Sequence, residues 1–156
     1  MQPRTRLGLT VGAIGLVFNI CVAGFVGFCG PVLSLIAGGI AGYLTIQQEK
    51  PATKSDGARA GAVSGAIAGA LIILGQIIGG VGALIFFQTS GTQLPFGQAP
   101  SPGADPSLNA VYYGSGIVTS FCFGLVGALL AAGTGAGTGY LATQEQPAGM
   151  PPTPAE

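Results

Sequence analysis

Three long stretches of this 156-residue chain carry no charge, and nothing else limits its fold as much. No Asp, Glu, Lys or Arg lies between Arg6 and Glu49, between Arg59 and Asp105, or between Asp105 and Glu145. Each gap can hold a run of about 20 apolar residues, the length a helix needs to cross a hydrocarbon core about 30 Å thick. Charged residues make up 6% of the chain, against about 25% in a soluble domain. So few charges cannot cover a soluble fold of this size. The chain therefore reads as a single membrane domain, all-α, a bundle of four transmembrane helices arranged as two hairpins.

Gly, Pro and polar clusters set the expected boundaries. The first span covers 7–28, about 33 Å at 1.5 Å per residue. Cys29-Gly30-Pro31 breaks it, and the second span, 31–47, follows at once. A polar loop occupies 48–59, with Ser55-Asp56 as capping chemistry for the third span, 60–87, which is long enough to tilt or protrude. Pro95, Pro100, Pro102 and Pro106 deny the 88–110 loop regular structure. The fourth span covers 111–142. Its Gly133–Gly139 stretch is a weak helix former in water, but in lipid any other backbone would leave costly unmet hydrogen bonds. The Pro-rich tail, 144–156, is expected to be flexible. Arg4 and Arg6 ahead of an apolar run also fit a signal peptide, but the run lacks a small-residue cleavage site and is read as a retained helix.

All five Lys and Arg residues fall in two places: Arg4 and Arg6, then Lys50, Lys54 and Arg59. Four crossings put both places on one side, the cytoplasmic side by the positive-inside rule, together with both termini. The 88–110 loop has no Lys or Arg and falls outside. The expected location is thus a cell membrane crossed several times, of the bacterial cytoplasmic kind. Phe25, Phe28, Phe86, Phe87, Tyr112 and Tyr113 lie toward the outer boundary, with Tyr43 and Tyr140 toward the inner one.

The second and fourth spans end alike. Gly42-Tyr43-Leu44 precedes Gln47-Gln48 and Pro51-Ala52; Gly139-Tyr140-Leu141 precedes Gln144-Glu145 and Pro147-Ala148. Either the hairpin is duplicated, with the halves related about the membrane normal, or Gly-rich sequence matches itself by chance.

Small residues recur every four positions in each span. The first carries Gly15, Asn19, Ala23 and Gly27, with Gly8 and Gly12 on nearly the same face. The second carries Ser34, Gly38 and Gly42 beside Ala37, Ala41 and Thr45. The third carries Gly61, Gly65 and Gly69, then Gly75 and Gly79. The fourth carries Gly116, Ser120, Gly124, Ala128, Ala132 and Ala136, beside Gly127, Ala131, Gly135 and Gly139. Residues four apart share a helix face, and a groove without side chains lets another backbone approach closely. The Gly61/Gly65/Gly69 series resembles the glycine-zipper pattern of many membrane proteins, and the chain as a whole resembles small glycine-rich bacterial membrane proteins of unknown function. The resemblance implies close helix packing and no particular activity. The grooves either pack the four helices together or leave a face for a partner chain, a pigment or a lipid.

Most site chemistry is missing. The chain has no His, so a Ser/His or Cys/His nucleophile system is impossible. The carboxylates Glu49, Asp56, Asp105, Glu145 and Glu156 all lie in loops or the tail, without metal-ligand spacing. The Gly133–Gly139 stretch has no following Lys and is no phosphate loop. No ionisable group lies inside a span, which argues against proton relays and charged transport paths. Asn19 and Gln76 are the large amides near mid-span; interhelical hydrogen bonding is their expected role, with ligand contact the alternative. Cys21, Cys29 and Cys122 are expected as small buried thiols, with Cys29 a candidate for an intermolecular disulfide. No basic stripe suggests nucleic acid.

The expected function is that of a non-catalytic structural or accessory subunit of a larger membrane assembly. It needs no cofactor; its partners are the bilayer and other subunits or further copies of itself. The alternative is a small homo-oligomeric channel or transporter whose path is lined by backbone and hydroxyl groups of the fourth span.

Overall fold

The computed structural model describes residues 2–23, 29–91, 100, 101 and 103–144. Among them the chain forms four α-helices and no strand: α1 Pro3–Ala23, α2 Cys29–Glu49, α3 Lys54–Ser90 and α4 Pro106–Ala142. Each helix starts before the span expected from apolarity alone, and α2 and α3 also end after it; the last part of the first span, 24–28, lies outside the described residues. Backbone hydrogen bonding does not stop where the side chains turn polar, so α1 takes in Arg4 and Arg6 and α2 takes in Gln47, Gln48 and Glu49.

Two expected boundaries are corrected by local capping. Thr53, not Ser55-Asp56, starts α3: its backbone is extended and its hydroxyl accepts from the Asp56 N–H and donates to the Asp56 carboxylate. Pro106 opens α4 instead of disrupting it. At the first helical position its missing N–H is no loss, and Asp105 caps by accepting from the Ser107 N–H at 2.8 Å. Gly91, at φ 66°, closes α3 in the left-handed conformation that a side chain disfavours.

Close approaches give the helix directions. Gly8 lies against Ser64 and Ile67, Gly12 against Ala68 and Leu71, and Gly75 against Leu16, so α1 and α3 run parallel. Ser34 lies against Gly127, Gly38 against Ala131 and Gly42 against Gly135, so α2 and α4 also run parallel. Gly57 faces Gly139, Gly61 faces Gly135 and Gly69 faces Ala128, which makes α3 and α4 antiparallel. α2 touches α3 as well, while α1 touches α2 and α3 and has no contact with α4. The α3–α4 hairpin is thus the spine, α2 lies in its groove, and α1 flanks α3.

The side chains are distributed inside out relative to a soluble bundle. Among the described residues the buried apolar side chains are Ala37, Ala41, Ala60, Ala68 and Ala131 with only two larger ones, Ile46 and Ile72. Large apolar residues face outward on every helix: Ile14, Val17 and Phe18 on α1, Ile36 and Ile40 on α2, Leu74 and Ile78 on α3, Leu129 and Leu141 on α4. Soluble proteins put such side chains inside. Among the described residues, α3 and α4 are long and apolar enough to cross a membrane, whereas α1 and α2, with their polar ends, are not.

The two long helices outrun the short ones. At 37 residues each, α3 and α4 are about 55 Å long, well beyond a hydrocarbon core of about 30 Å. α3 continues about 22 Å past Gly75, while the described part of α1 continues about 10 Å past the facing Leu16. α4 extends about 32 Å from Gly127 back to Pro106, against about 8 Å from Ser34 to the start of α2. Among the described residues, the loop-side end of the α3–α4 hairpin therefore projects beyond the other two helices.

Candidate functional site

The most built part of the molecule is a seam of bare backbone where α2, α3 and α4 meet. A Cβ placed on Gly61 would collide with the Gly135 carbonyl, and one on Gly135 with the Gly61 carbonyl. Gly57 and Gly139 stand in the same reciprocal relation. A Cβ on Gly65 or on Gly38 would strike the Ala131 carbonyl, so Ala131, fully buried, is approached from two helices at once. Gly42 completes the seam against Gly135, where an added Cβ would lie 2.5 Å from the carbonyl oxygen. The obstacles are main-chain atoms, which cannot rotate out of the way. This is the geometry by which small residues hold helices together where no hydrophobic effect separates protein from solvent.

Of the other small residues singled out by periodicity, Gly69 abuts Ala128 and Gly75 abuts Leu16, while Gly79 is buried on α3. Gly124 packs on Ile73, and Ser120 sits against Gly80. Gly15 is half-buried against Ile72. Ala23 ends α1, and Gly27 lies outside the described residues. Within α4 the deeply buried stripe is Gly127, Ala131, Gly135 and Gly139; the parallel stripe of Ala128, Ala132 and Ala136 is only half-buried. Gly82, Gly114, Gly133 and Gly137 face open space.

The two large buried amides differ. Asn19, 1% exposed, donates from Nδ2 to the Ile72 carbonyl at 3.2 Å and so ties α1 to α3. Gln76, 6% exposed, has a carbonyl oxygen with no partner. Thr138 lies within reach of the Gly39 carbonyl of α2 at 3.2 Å, though its own helix carbonyls at Thr134 and Gly135 compete for the same hydrogen. Cys122 is a free thiol and is exposed, contrary to the expected buried place: position 122 falls on the outward face of α4, away from the 124/127/131 stripe. The side chains of Cys21 and Cys29 lie outside the described residues.

At the loop-side end of the α3–α4 hairpin, its outer end, polar side chains clasp α3 to α4. Gln88 donates to Asn109 Oδ1 at 3.0 Å and accepts from the Tyr113 hydroxyl, while Tyr112 donates to the Leu84 carbonyl at 3.3 Å. These residues were not singled out as a group, because their separation of more than 20 positions hides the pairing until the hairpin closes.

At the opposite, inner end of the hairpin a cavity of about 430 Å³ opens between the last turns of α2 and α4, lined by Tyr43, Ile46, Gln47, Lys50, Pro51, Ala142, Thr143 and Gln144. Gln47 Nε2 donates to the Tyr43 hydroxyl at 2.7 Å. Lys50 follows α2 with φ 43°, a left-handed conformation that a side chain disfavours, and its N–H bonds the Ile46 carbonyl at 2.9 Å. Nearby, the Glu49 carboxylate accepts from the Arg4 N–H at 3.1 Å and pairs with the Arg4 guanidinium at 3.6 Å. The Lys54 ammonium lies 5.6 Å over the Tyr140 ring, within cation–π range.

No family model, no curated protein and no solved structure matches this chain.

Proposed function

We propose that the chain is a non-catalytic structural or accessory subunit of a membrane assembly, inserted as four crossings with both termini and the 48–59 link on the cytoplasmic side. The outward-facing Ile, Leu, Val and Phe side chains support insertion, since lipid is the medium that accepts them. Four crossings also agree with the segregation of Lys and Arg to one end. α1 and α2 then cross as passengers of the spine, their polar ends in the headgroup layer.

One observation favours assembly over a free-standing bundle. The projecting part of the α3–α4 hairpin is clad in exposed apolar residues: Ile85 and Phe86 on α3, with Leu108, Val111, Ile117 and Val118 on α4. If the inner ends of the bundle sit at one headgroup layer, much of this cladding lies past the opposite one, where water would meet it. A contiguous apolar surface in water marks an interaction site. A partner subunit standing in or beside the membrane would cover it.

The channel alternative needs a path between copies. The Gly127/Ala131/Gly135/Gly139 face of α4 is spent on contacts with α2 and α3, which leaves the outward Gly114, Gly133 and Gly137 of that helix to face another chain.

The test is mild detergent extraction of the tagged chain from its native membrane, followed by native-gel mass and proteomics of the band. Fixed-ratio migration with defined partners, weakened by Phe86→Ser or Val111→Ser, is the expected result. Clean isolation as a monomer would overturn the subunit reading. A homo-oligomer that conducts ions in liposomes would replace it with the channel.

A further inference from the structure

We infer that the inner cavity between α2 and α4 is a binding site for the headgroup of an anionic phospholipid, with Lys50 and Tyr43 holding its phosphate. The site rests on the membrane insertion proposed above.

The side chains supply what a phosphodiester needs. Lys50 lines the cavity and has no acidic partner among the described residues, where the neighbouring carboxylate, Glu49, is engaged by Arg4. Tyr43 already accepts a hydrogen bond from Gln47, so its own hydroxyl hydrogen is free to point at an anion. Gln144 adds amide donors and acceptors at the rim. Of the last carbonyls of α2 and α4, Ile46 is bonded by the Lys50 N–H and Gly139 by the Thr143 hydroxyl; those that follow them can accept from headgroup hydroxyls, which favours a glycerol headgroup over a bare phosphate.

Charge and shape agree with a lipid source. Among the described residues this end carries Arg4, Arg6, Lys50, Lys54 and Arg59 against only Glu49 and Asp56. A basic pocket between helices on the cytoplasmic side is the usual form of an anionic-lipid site. The cavity is half apolar in its lining, with Ile46, Pro51 and Ala142. Above it, Ile40 and Ile36 continue the Tyr43 face of α2, both about half exposed. Acyl chains descending from the headgroup would lie along them.

Lys50 also occupies a position where Gly is the favoured residue. Its positive φ, directly before Pro51, is a strained backbone for a side chain, and strain that persists invites a functional account. The competing account is that Lys50 merely complements the negative end of the α2 dipole. Lys50→Gly separates the two, since it relieves the backbone while removing the ammonium.

The full-length chain is reconstituted into phosphatidylcholine vesicles with and without phosphatidylglycerol, insertion is checked by flotation and alkaline extraction, and retained lipid is read by native mass spectrometry. One phosphatidylglycerol is expected to stay bound to the wild type. Retention should fall at least about tenfold in Lys50→Gly and about threefold in Tyr43→Phe, and it should survive in Lys50→Arg and Arg59→Gln. Millimolar inorganic phosphate should not displace the lipid; displacement would reassign the site to a soluble phosphate and overturn the lipid source. Equal retention of phosphatidylcholine, or equal loss in Arg59→Gln, would reduce the effect to diffuse surface charge and overturn the site. Failure to insert into either vesicle would instead overturn the membrane reading beneath it.

Discussion

The inner and outer halves of the α3–α4 hairpin are joined by opposite means. In the inner half, from Gly57 to Gly69 against Ala128 to Gly139, backbone meets backbone and α2 adds a third strand of contact through Gly38 and Gly42. In the outer half, side chains stand between the backbones: Leu84 covers Gly116 and the Ser120 hydroxyl meets Gly80. There the joining is polar, through Gln88, Asn109 and the two tyrosines. A backbone seam has one geometry and tolerates no added atom. A seam of side chains can repack, which suits a surface that meets a partner.

The largest test of this contrast is the sign of a Gly→Ala substitution. Gly61→Ala or Gly135→Ala should destabilise by about 2–3 kcal/mol, since the new methyl meets a main-chain carbonyl that cannot move aside. Gly82→Ala and Gly114→Ala, which add a methyl in open space, should stabilise by about 0.5–1 kcal/mol through helix propensity. Reversible unfolding in mixed micelles reads both, and equal effects in the two halves would break the contrast.

Next in size are the buried amides. Gln76→Leu removes a carbonyl oxygen that has no partner and should leave stability unchanged or raise it by about 1–2 kcal/mol. Asn19→Ala removes the bond to the Ile72 carbonyl and should cost about 0.6–1.7 kcal/mol. The same micelle titration compares them; a large loss on Gln76→Leu would mean that the oxygen has an occupant in the native membrane.

The outer clasp comes third. Gln88→Ala should cost about 0.5–1.5 kcal/mol, and only locally. Amide exchange should quicken at the start of α4 while the inner seam stays protected. Uniform quickening would show that the two halves unfold as one unit.

The smallest effect is a pH dependence at the outer end. Hydrogen bonds from the Ser107 hydroxyl and N–H hold the Asp105 carboxyl below its ordinary value of 3.8. A lowered folded pKa makes the cap's contribution present above 3.8 and lost as pH falls through the folded value. The Ser107 amide resonance should shift over that acid window and not in Asp105→Asn.

Part of this was legible in the chain. Spacing of four puts Gly61, Gly65 and Gly69 on one face whatever the partner, because helix geometry is local. The helix ends were less legible. Thr53 and Ser55-Asp56 are equally good caps by composition, and the side-chain geometry at Asp56 selects Thr53. Pro106 reads as a breaker or as a first residue, depending on whether Asp105 turns its carboxylate back onto Ser107. Asn19 and Gln76 look alike in sequence. One reaches a carbonyl on a neighbouring helix and the other does not, which depends on helix register.

By itself, then, the sequence determined the helical class, the small-residue stripes and the gathering of positive charge at one end, all consequences of residue type and spacing along one chain. Tertiary structure alone decided that Ala131 and Gly135 serve two helices at once, that α3 and α4 outrun α1 and α2, and that Tyr43 and Lys50 share a cavity with the end of α4. These are relations between segments up to about a hundred residues apart, fixed by which backbones can approach without a side chain between them.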